Sequence, residues 1–192
     1  MDADPFAQFS VWFDQAKNSE PSDHDAVSVA SVDGSGRPTI RMVLMREFDN
    51  RGFVFYTNLK SRKVDNFSQN PAAAMCFHWK STARQIRIEG LVEIVNDRNA
   101  DQYFASRPRE SQIGAWASKQ SQLLENREIL EARYLEFDNR YANEPIPRPP
   151  FWSGYRLIPD HFEFWDKRPF RLHDRSVYSH DDDRWMLTKL QP

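Results

Sequence analysis

The chain has 192 residues, 40% of them apolar and 14% aromatic, with six Trp and fourteen Phe. That is enough for a continuous core and too much aromatic mass for a disordered chain. A net charge of −2 argues against a nucleic-acid coat, and no apolar run approaches the ~18–20 residues that cross a bilayer.

Asp4-Pro5 opens a helix, with Asp as cap and Pro in the first turn, and Phe6, Phe9, Phe13 and Ala16 then follow at helical spacing. From Ala26 the period changes to two, and a turn at Asp33-Gly34-Ser35-Gly36 joins this strand to a second over Ile40–Met45. Asp49-Asn50-Arg51-Gly52 turns the chain into a strand at Phe53–Thr57. A short helix over Lys60–Gln69 stops at Asn70-Pro71, and strands follow at Ala73–Trp79 and Arg84–Val95. Asp97–Ser106 reads as a helix ended by Pro108. A longer helix should carry Leu123, Leu130, Tyr134, Phe137 and Tyr141 along one stripe. Pro145, Pro147, Pro149 and Pro150 form a stiff connector, followed by strand-like runs at Phe151–Leu157, Phe162–Trp165, Phe170–Tyr178 and Trp185–Leu190. Strands and helices without regular βαβ units predict a mainly β protein, an antiparallel β-barrel decorated by helices.

Several chemistries are excluded by what is missing. Gly34 and Gly36 join two strands and lead to Thr39, so they are no dinucleotide fingerprint; G-x-x-x-x-G-K and G-x-S-x-G are absent. Five His without paired spacing argue against a metal site, and the single cysteine, Cys76, can form no intrachain disulfide. Met1-Asp2-Ala3-Asp4-Pro5 lacks the basic and apolar parts of a secretory leader, so a cytoplasmic location is expected, with neither membrane nor nucleic-acid partner.

Three groups carry chemistry. Between Arg37 and Lys63 there are seven basic residues against two acidic ones, with Arg62-Lys63 at a helix start, where free amides and cations could cradle a phosphate. A solvated basic face is an equal reading. Tyr103 and Arg107 lie four apart on a helix, and with Ser111 they could make a second anion site; singly, each reads as a core edge or a surface pair. In Arg171-Leu172-His173-Asp174-Arg175, strand alternation puts Arg171, His173 and Arg175 on one side, facing either an anion or solvent, with Trp165 as a wall for a planar ligand or a core residue.

The runs Arg41-Met42-Val43-Leu44-Met45-Arg46, Phe55-Tyr56-Thr57-Asn58 and Ser61-Arg62-Lys63 resemble the pyridoxamine 5'-phosphate oxidase family. So do Ser106 to Trp116, Ser118-Lys119-Gln120-Ser121, Glu163-Phe164-Trp165 and Arg171 to Arg175, in this order and spacing, from about Asp4 to Pro192. The resemblance implies an FMN-binding split barrel over 1–192, including a dimerisation and substrate region at about 150–192, and a homodimer with FMN at the interface. It implies FMN contacts at Arg41, Met42, Val43, Leu44, Met45, Arg46, Tyr56, Thr57, Arg62, Lys63, Gln85, Gln120, Ser121, Trp165 and Arg175. Substrate contacts are implied at Arg46, Tyr103, Arg107, Ser111, Arg171, Leu172 and His173, with Arg171 and His173 catalytic. The implied activity is oxidation of pyridoxamine or pyridoxine 5'-phosphate to pyridoxal 5'-phosphate by O2, releasing H2O2, and NH3 from the amine. The alternatives are an FMN oxidase of the same fold acting on a phenazine precursor or other substrate, and a non-catalytic flavin-binding protein. Two departures stand out. The family usually has Lys where this chain has Arg46, and it commonly carries a longer amino-terminal segment that folds over the substrate, whereas this chain begins almost at its first helix.

Overall fold

A computed structural model describes residues 4–181 and 184–192. In chain order the elements are α1 (Pro5–Ser19), β1 (Ala26–Val32), β2 (Pro38–Asp49), β3 (Gly52–Asn58), α2 (Arg62–Gln69), β4 (Ala72–Trp79), β5 (Arg84–Ile94), α3 (Asp97–Ser106), α4 (Arg109–Ala117), α5 (Arg127–Arg140), β6 (Trp152–Asp166), β7 (Asp174–Asp181) and β8 (Arg184–Leu190), with a short 3-10 turn at Pro169–Arg171. All strand pairings are antiparallel, in the order β3-β2-β1-β4-β5-β6-β7-β8. Pairing of β3 with β6, from Phe53 opposite Leu157 to Asn58 opposite Trp152, closes the first six strands into a barrel and leaves β7 and β8 as an extension beyond β6.

Alternation fills the barrel. Val27 and Val29 of β1, Met75 and Phe77 of β4, Ile86 and Ile88 of β5, and Phe162 and Phe164 of β6 are all buried. Helix α1 starts as its sequence dictates: Asp4 Oδ1 accepts from the Phe6 amide at 2.9 Å, and Pro5 occupies the first turn. Its apolar stripe joins this core, with the fully buried Phe9 ring edge-on to Phe53 at 4.7 Å, Phe48 at 4.9 Å and Phe77 at 5.3 Å. Such a ring dominates local packing, and Phe9→Ala would cost about 3–5 kcal/mol.

The β2–β3 hairpin is tied to β6. The buried Arg156 donates from Nη1 to Asp49 Oδ1 at 2.5 Å and to Gly52 O at 3.3 Å. Gly52 has φ +133°, and a Cβ there would lie 1.9 Å from Leu157 O, so any side chain would have to push this crossing apart.

Four sequence expectations are corrected. The runs at Phe151–Leu157 and Phe162–Trp165 are one strand, β6, whose Pro159 sits at a bulge opposite Gly90, where its missing N–H breaks no ladder. The long middle helix starts later than its stripe implies: α5 begins at Arg127, Leu123 is fully exposed in the loop before it, and a separate helix, α4, precedes that loop. Phe137 and Tyr141 do pack together, against Trp116 of α4 at 5.4 and 5.8 Å. Arg107 is the cap of α3 rather than a helical residue, because the following Pro108 disfavours helical backbone before it. Finally, Phe170–Leu172 is no strand. Phe170 and Arg171 have φ of +59° and +62° in the 3-10 turn, and β7 begins only at Asp174.

Candidate active site

Strands β2 and β3, the start of α2, the α3–α4 junction, the loop after α4 and the first residue of β6 surround a cleft of about 800 Å3. Arg41, Lys63, Arg46 and Arg107 all line it.

Arg41 projects from β2, donating from Nη1 to Val29 O and Ser31 Oγ, both at 2.9 Å, and from Nη2 to Thr39 Oγ1 at 2.7 Å. Asn66 of α2 donates to the same Ser31 and Thr39 hydroxyls, which ties the helix to the two strands beneath it. Lys63, in the first turn of α2 and 7% exposed, donates from Nζ to Thr57 Oγ1 at 2.8 Å, Ser61 Oγ at 3.0 Å and Gln120 Oε1 at 3.5 Å. The Arg62 amide donates to Ser121 Oγ at 3.3 Å, so Gln120 and Ser121 close over the same helix start. Every acceptor on these cations is neutral. Among the described residues, Arg41, Arg62, Lys63 and Arg107 have no carboxylate partner. Burial, with the Arg41 charge adding, holds the Lys63 amine down to about 8; burial and then Arg62 lower Arg41. Partly buried cations that depress one another are costly to keep unless an anion meets them.

The second set surrounds Arg107. Among the described residues its Nη1 is buried without a hydrogen-bond partner, while its guanidinium lies 4.9 Å over the Trp152 ring and 5.7 Å from Phe104. Gln112 Nε2 donates to the carbonyls of Ala105 and Arg107, holding the α3–α4 turn. The Tyr103 ring stacks on Tyr56 at 3.9 Å and 15°, and the Trp152 ring lies nearly parallel to both, 5.3 Å from Tyr56 and 6.1 Å from Tyr103. The Tyr56 hydroxyl donates to Glu47 Oε1 at 3.0 Å; burial, then this bond, raises its pKa. Burial lowers Arg107, and the nearby Arg46 charge lowers it further. Ser111, in the first turn of α4, also lines the cleft. The cleft thus presents two cation sets backed by an aromatic wall, with a spare buried donor at Arg107.

The remaining predicted residues divide. Met42, Val43, Leu44 and Thr57 line the cleft, but the Met45 side chain turns into the core at 3% exposure, because alternation along β2 sends it inward. Gln85, Trp165, Arg171, Leu172, His173 and Arg175 do not line it. They lie instead beyond it, on β5, β6, β7 and the turn that precedes β7, where Trp165 pairs with both Gln85 and Arg175. The His173 ring lies 4.5 Å from Trp165 and accepts at Nδ1 from the Arg168 amide at 3.2 Å. Arg175 donates from Nε to Glu163 Oε1 at 2.8 Å, and that bond holds the buried Glu163 carboxyl below its usual range. Because Arg171 and His173 precede β7, strand alternation does not align them with Arg175.

Trp152 and Asn58 also line the cleft and had no local sequence signal. They face each other only through the β3–β6 pairing that closes the barrel.

A split barrel carrying this cationic, aromatic-walled cleft belongs to the flavin-binding class of oxidoreductase scaffolds. The family model described as pyridoxamine 5'-phosphate oxidase matches residues 13–141, and the one described as pyridoxine 5'-phosphate oxidase C-terminal dimerisation region matches residues 152–192. The chain is an enzyme belonging to the pyridoxamine 5'-phosphate oxidase family. It is 52% identical over 192 residues to the pyridoxine/pyridoxamine 5'-phosphate oxidase of Gluconobacter oxydans (strain 621H), covering 100% of this chain and 96% of that one. It is 52% identical over 189 residues to the protein of the same name from Caulobacter vibrioides (strain NA1000 / CB15N), covering 98% and 85%. Among solved structures, PhzG from Burkholderia lata 383 in complex with tetrahydrophenazine-1-carboxylic acid superposes with a TM-score of 0.94 at 31% identity, covering 98% of this chain and 93% of that one. An FMN-binding protein from Nostoc punctiforme PCC 73102 has a TM-score of 0.80 at 19% identity, covering 100% of both, which speaks for the fold alone. Among the described residues no helix is long and apolar enough to cross a membrane.

Proposed function

We propose that this enzyme oxidises pyridoxamine or pyridoxine 5'-phosphate to pyridoxal 5'-phosphate, with FMN as cofactor and O2 as final oxidant, releasing H2O2, and NH3 from the amine. The observation that carries this reading is the pair of cation sets in one cleft. Among the described residues each is without a carboxylate except at Arg46, and one holds the unpartnered Arg107 Nη1. Two phosphorylated molecules, a cofactor and a substrate, call for two such sets.

The residues fit FMN on chemistry: Lys63 and Arg41 have only neutral acceptors, and with Arg62 they would neutralise its phosphate. Bound FMN supplies the two-electron acceptor for the reaction. Arg46, Tyr103, Arg107 and Ser111 would hold the substrate phosphate, so that binding energy at that end orients the reacting carbon at the other. The near-parallel Tyr56, Tyr103 and Trp152 rings would give that end of the cleft an aromatic wall. Arg171 and His173 would position the substrate ring and assist proton movement. Neither lines the cleft of its own subunit, which supports a two-fold homodimer in which Gln85, Trp165, Arg171, Leu172, His173 and Arg175 of one subunit meet the cleft of the other. In this reading 1–192 is one functional unit, with about 150–192 serving dimerisation and substrate.

The TM-score of 0.94 to PhzG favours, as a second reading, an FMN oxidase of a phenazine precursor. Arg107 with its spare donor beside Tyr103 and Ser111 speaks for a phosphorylated substrate instead. Adding pyridoxamine 5'-phosphate to FMN-loaded protein should yield H2O2 and pyridoxal 5'-phosphate in equal amounts. A yellow protein that produces neither would overturn this activity and leave the other substrate, or a non-catalytic flavin binder, as the reading.

A further inference from the structure

Of the four cations that line the cleft, Arg46 alone has an ion-pair partner among the described residues. That partner, Asp25, does not line the cleft. It sits in the turn before β1 and faces a neighbouring hollow with Phe13, His24 and Phe48, a hollow that Arg46 lines as well, so the Arg46 side chain stands between the two. Arg46 Nη1 donates to Asp25 Oδ2 at 2.9 Å, with the Asp25 side chain 18% and the Arg46 side chain 35% exposed. The backbones beneath are locked as well, since the Met45 amide donates to Asp25 O at 2.8 Å and Ala26 pairs with Leu44. Neither carrier can drift from the other.

A guanidinium has five N–H donors in a rigid fork, so one nitrogen can be spent on a carboxylate while the others stay free; a lysine ammonium has no such fixed division. Arg46 also lies near enough to Arg107 for the two charges to oppose each other. A carboxylate behind Arg46 relieves that repulsion while the cleft is without an anion, and it fixes the direction of the fork.

We propose that Asp25 is a positioning residue for the reaction: its carboxylate holds the Arg46 guanidinium at the cleft wall, with its remaining N–H groups aimed at the substrate anion that Arg107 also binds. This rests on the reading of Arg46 and Arg107 as the substrate-phosphate site. It makes Asp25 and Arg46 one unit, so changes at the two positions are not additive.

The test compares D25N, D25E, R46K and the D25N/R46K double variant as FMN-loaded enzymes. The readouts are KM and kcat for pyridoxamine 5'-phosphate and the Kd of pyridoxal 5'-phosphate by tryptophan fluorescence quenching. D25N should raise KM and Kd by about five- to ten-fold, with kcat within about two-fold and flavin content unchanged. D25E should recover most of the loss, and the double variant should be no worse than R46K. A D25N enzyme that loses thermal stability or kcat while KM and Kd stay within two-fold overturns the proposal, as do additive effects. A parent that binds pyridoxal 5'-phosphate without oxidising the amine overturns the proposed activity, and the Kd ratio alone then decides the role of Asp25. A parent that binds none overturns both.

Discussion

Replacing Arg107 by Ala separates what the cleft costs from what it does. In the structure this guanidinium has a buried Nη1 with no partner, a lowered pKa from burial and from Arg46, and cation–π contact with Trp152 at 4.9 Å. Removing it deletes a cation–π contact of about 0.5–2 kcal/mol, but it also removes an unsatisfied buried donor that costs about 1–3 kcal/mol. The two nearly cancel, so the melting temperature of Arg107→Ala should match the parent's or exceed it. With a phosphate bound, the same donor completes a charge-assisted hydrogen bond worth about 1.5–3 kcal/mol, and its loss corresponds to roughly ten- to hundred-fold in affinity. Relief of the Arg46–Arg107 repulsion favours the lower end of that range. The assay is KM for pyridoxamine 5'-phosphate from peroxide release, with flavin content and a thermal melt on the same preparation. An unchanged melt with KM raised ten-fold or more supports a residue kept for binding at no gain in stability. A KM within about two-fold of the parent would refute the substrate-phosphate assignment, and a large drop in melting temperature would refute the accounting for the unpartnered donor.

Four further outcomes follow from other parts of the molecule. Arg62→Ala with Lys63→Ala should give colourless protein. In the parent, FMN affinity should be flat between about pH 7 and 8, where Lys63 is mostly charged and the FMN phosphate, with a second pKa of about 6, is a dianion, and should weaken as pH rises past the ligand-free Lys63 pKa of about 8, measured by flavin fluorescence titration; a pH-independent affinity between 7 and 10 would contradict the role of Lys63. Co-refolding Arg107→Ala with His173→Ala subunits, assayed at substrate far below the raised KM of Arg107→Ala so that neither variant alone turns over appreciably, should restore about a quarter of parental activity, because each mixed dimer regains one intact site; a mixture no more active than its components would exclude shared sites. Gly52→Ala should lower the melting temperature by several degrees, since a Cβ there meets Leu157 O at 1.9 Å and the φ of +133° adds about 1–3 kcal/mol of strain. A melt within a degree of the parent would show that the β3–β6 crossing gives way easily.

The sequence by itself determined the elements whose signal is local. Asp4-Pro5 and the Phe6, Phe9, Phe13 stripe mark α1, and two-residue alternation marks β1, β4 and β5, because capping and burial on one face act within a few residues. Arg41, Lys63, Tyr103, Arg107 and Ser111 were legible as cation and hydroxyl groups by type and spacing, and all line the cleft. The tertiary structure alone decided the rest, where the deciding contact lies far along the chain. Closure of the barrel by β3 and β6, about a hundred residues apart, brings Trp152 beneath Arg107 and beside Tyr56. The positive φ at Phe170 and Arg171 ends the alternation that would have aligned Arg171, His173 and Arg175. Met45 turns inward while its neighbours face the cleft, and the Trp165 cluster stands apart from it. Residue type and period show which groups can bind an anion, whereas which of them share one cavity depends on long-range strand pairing, which no short window of sequence encodes.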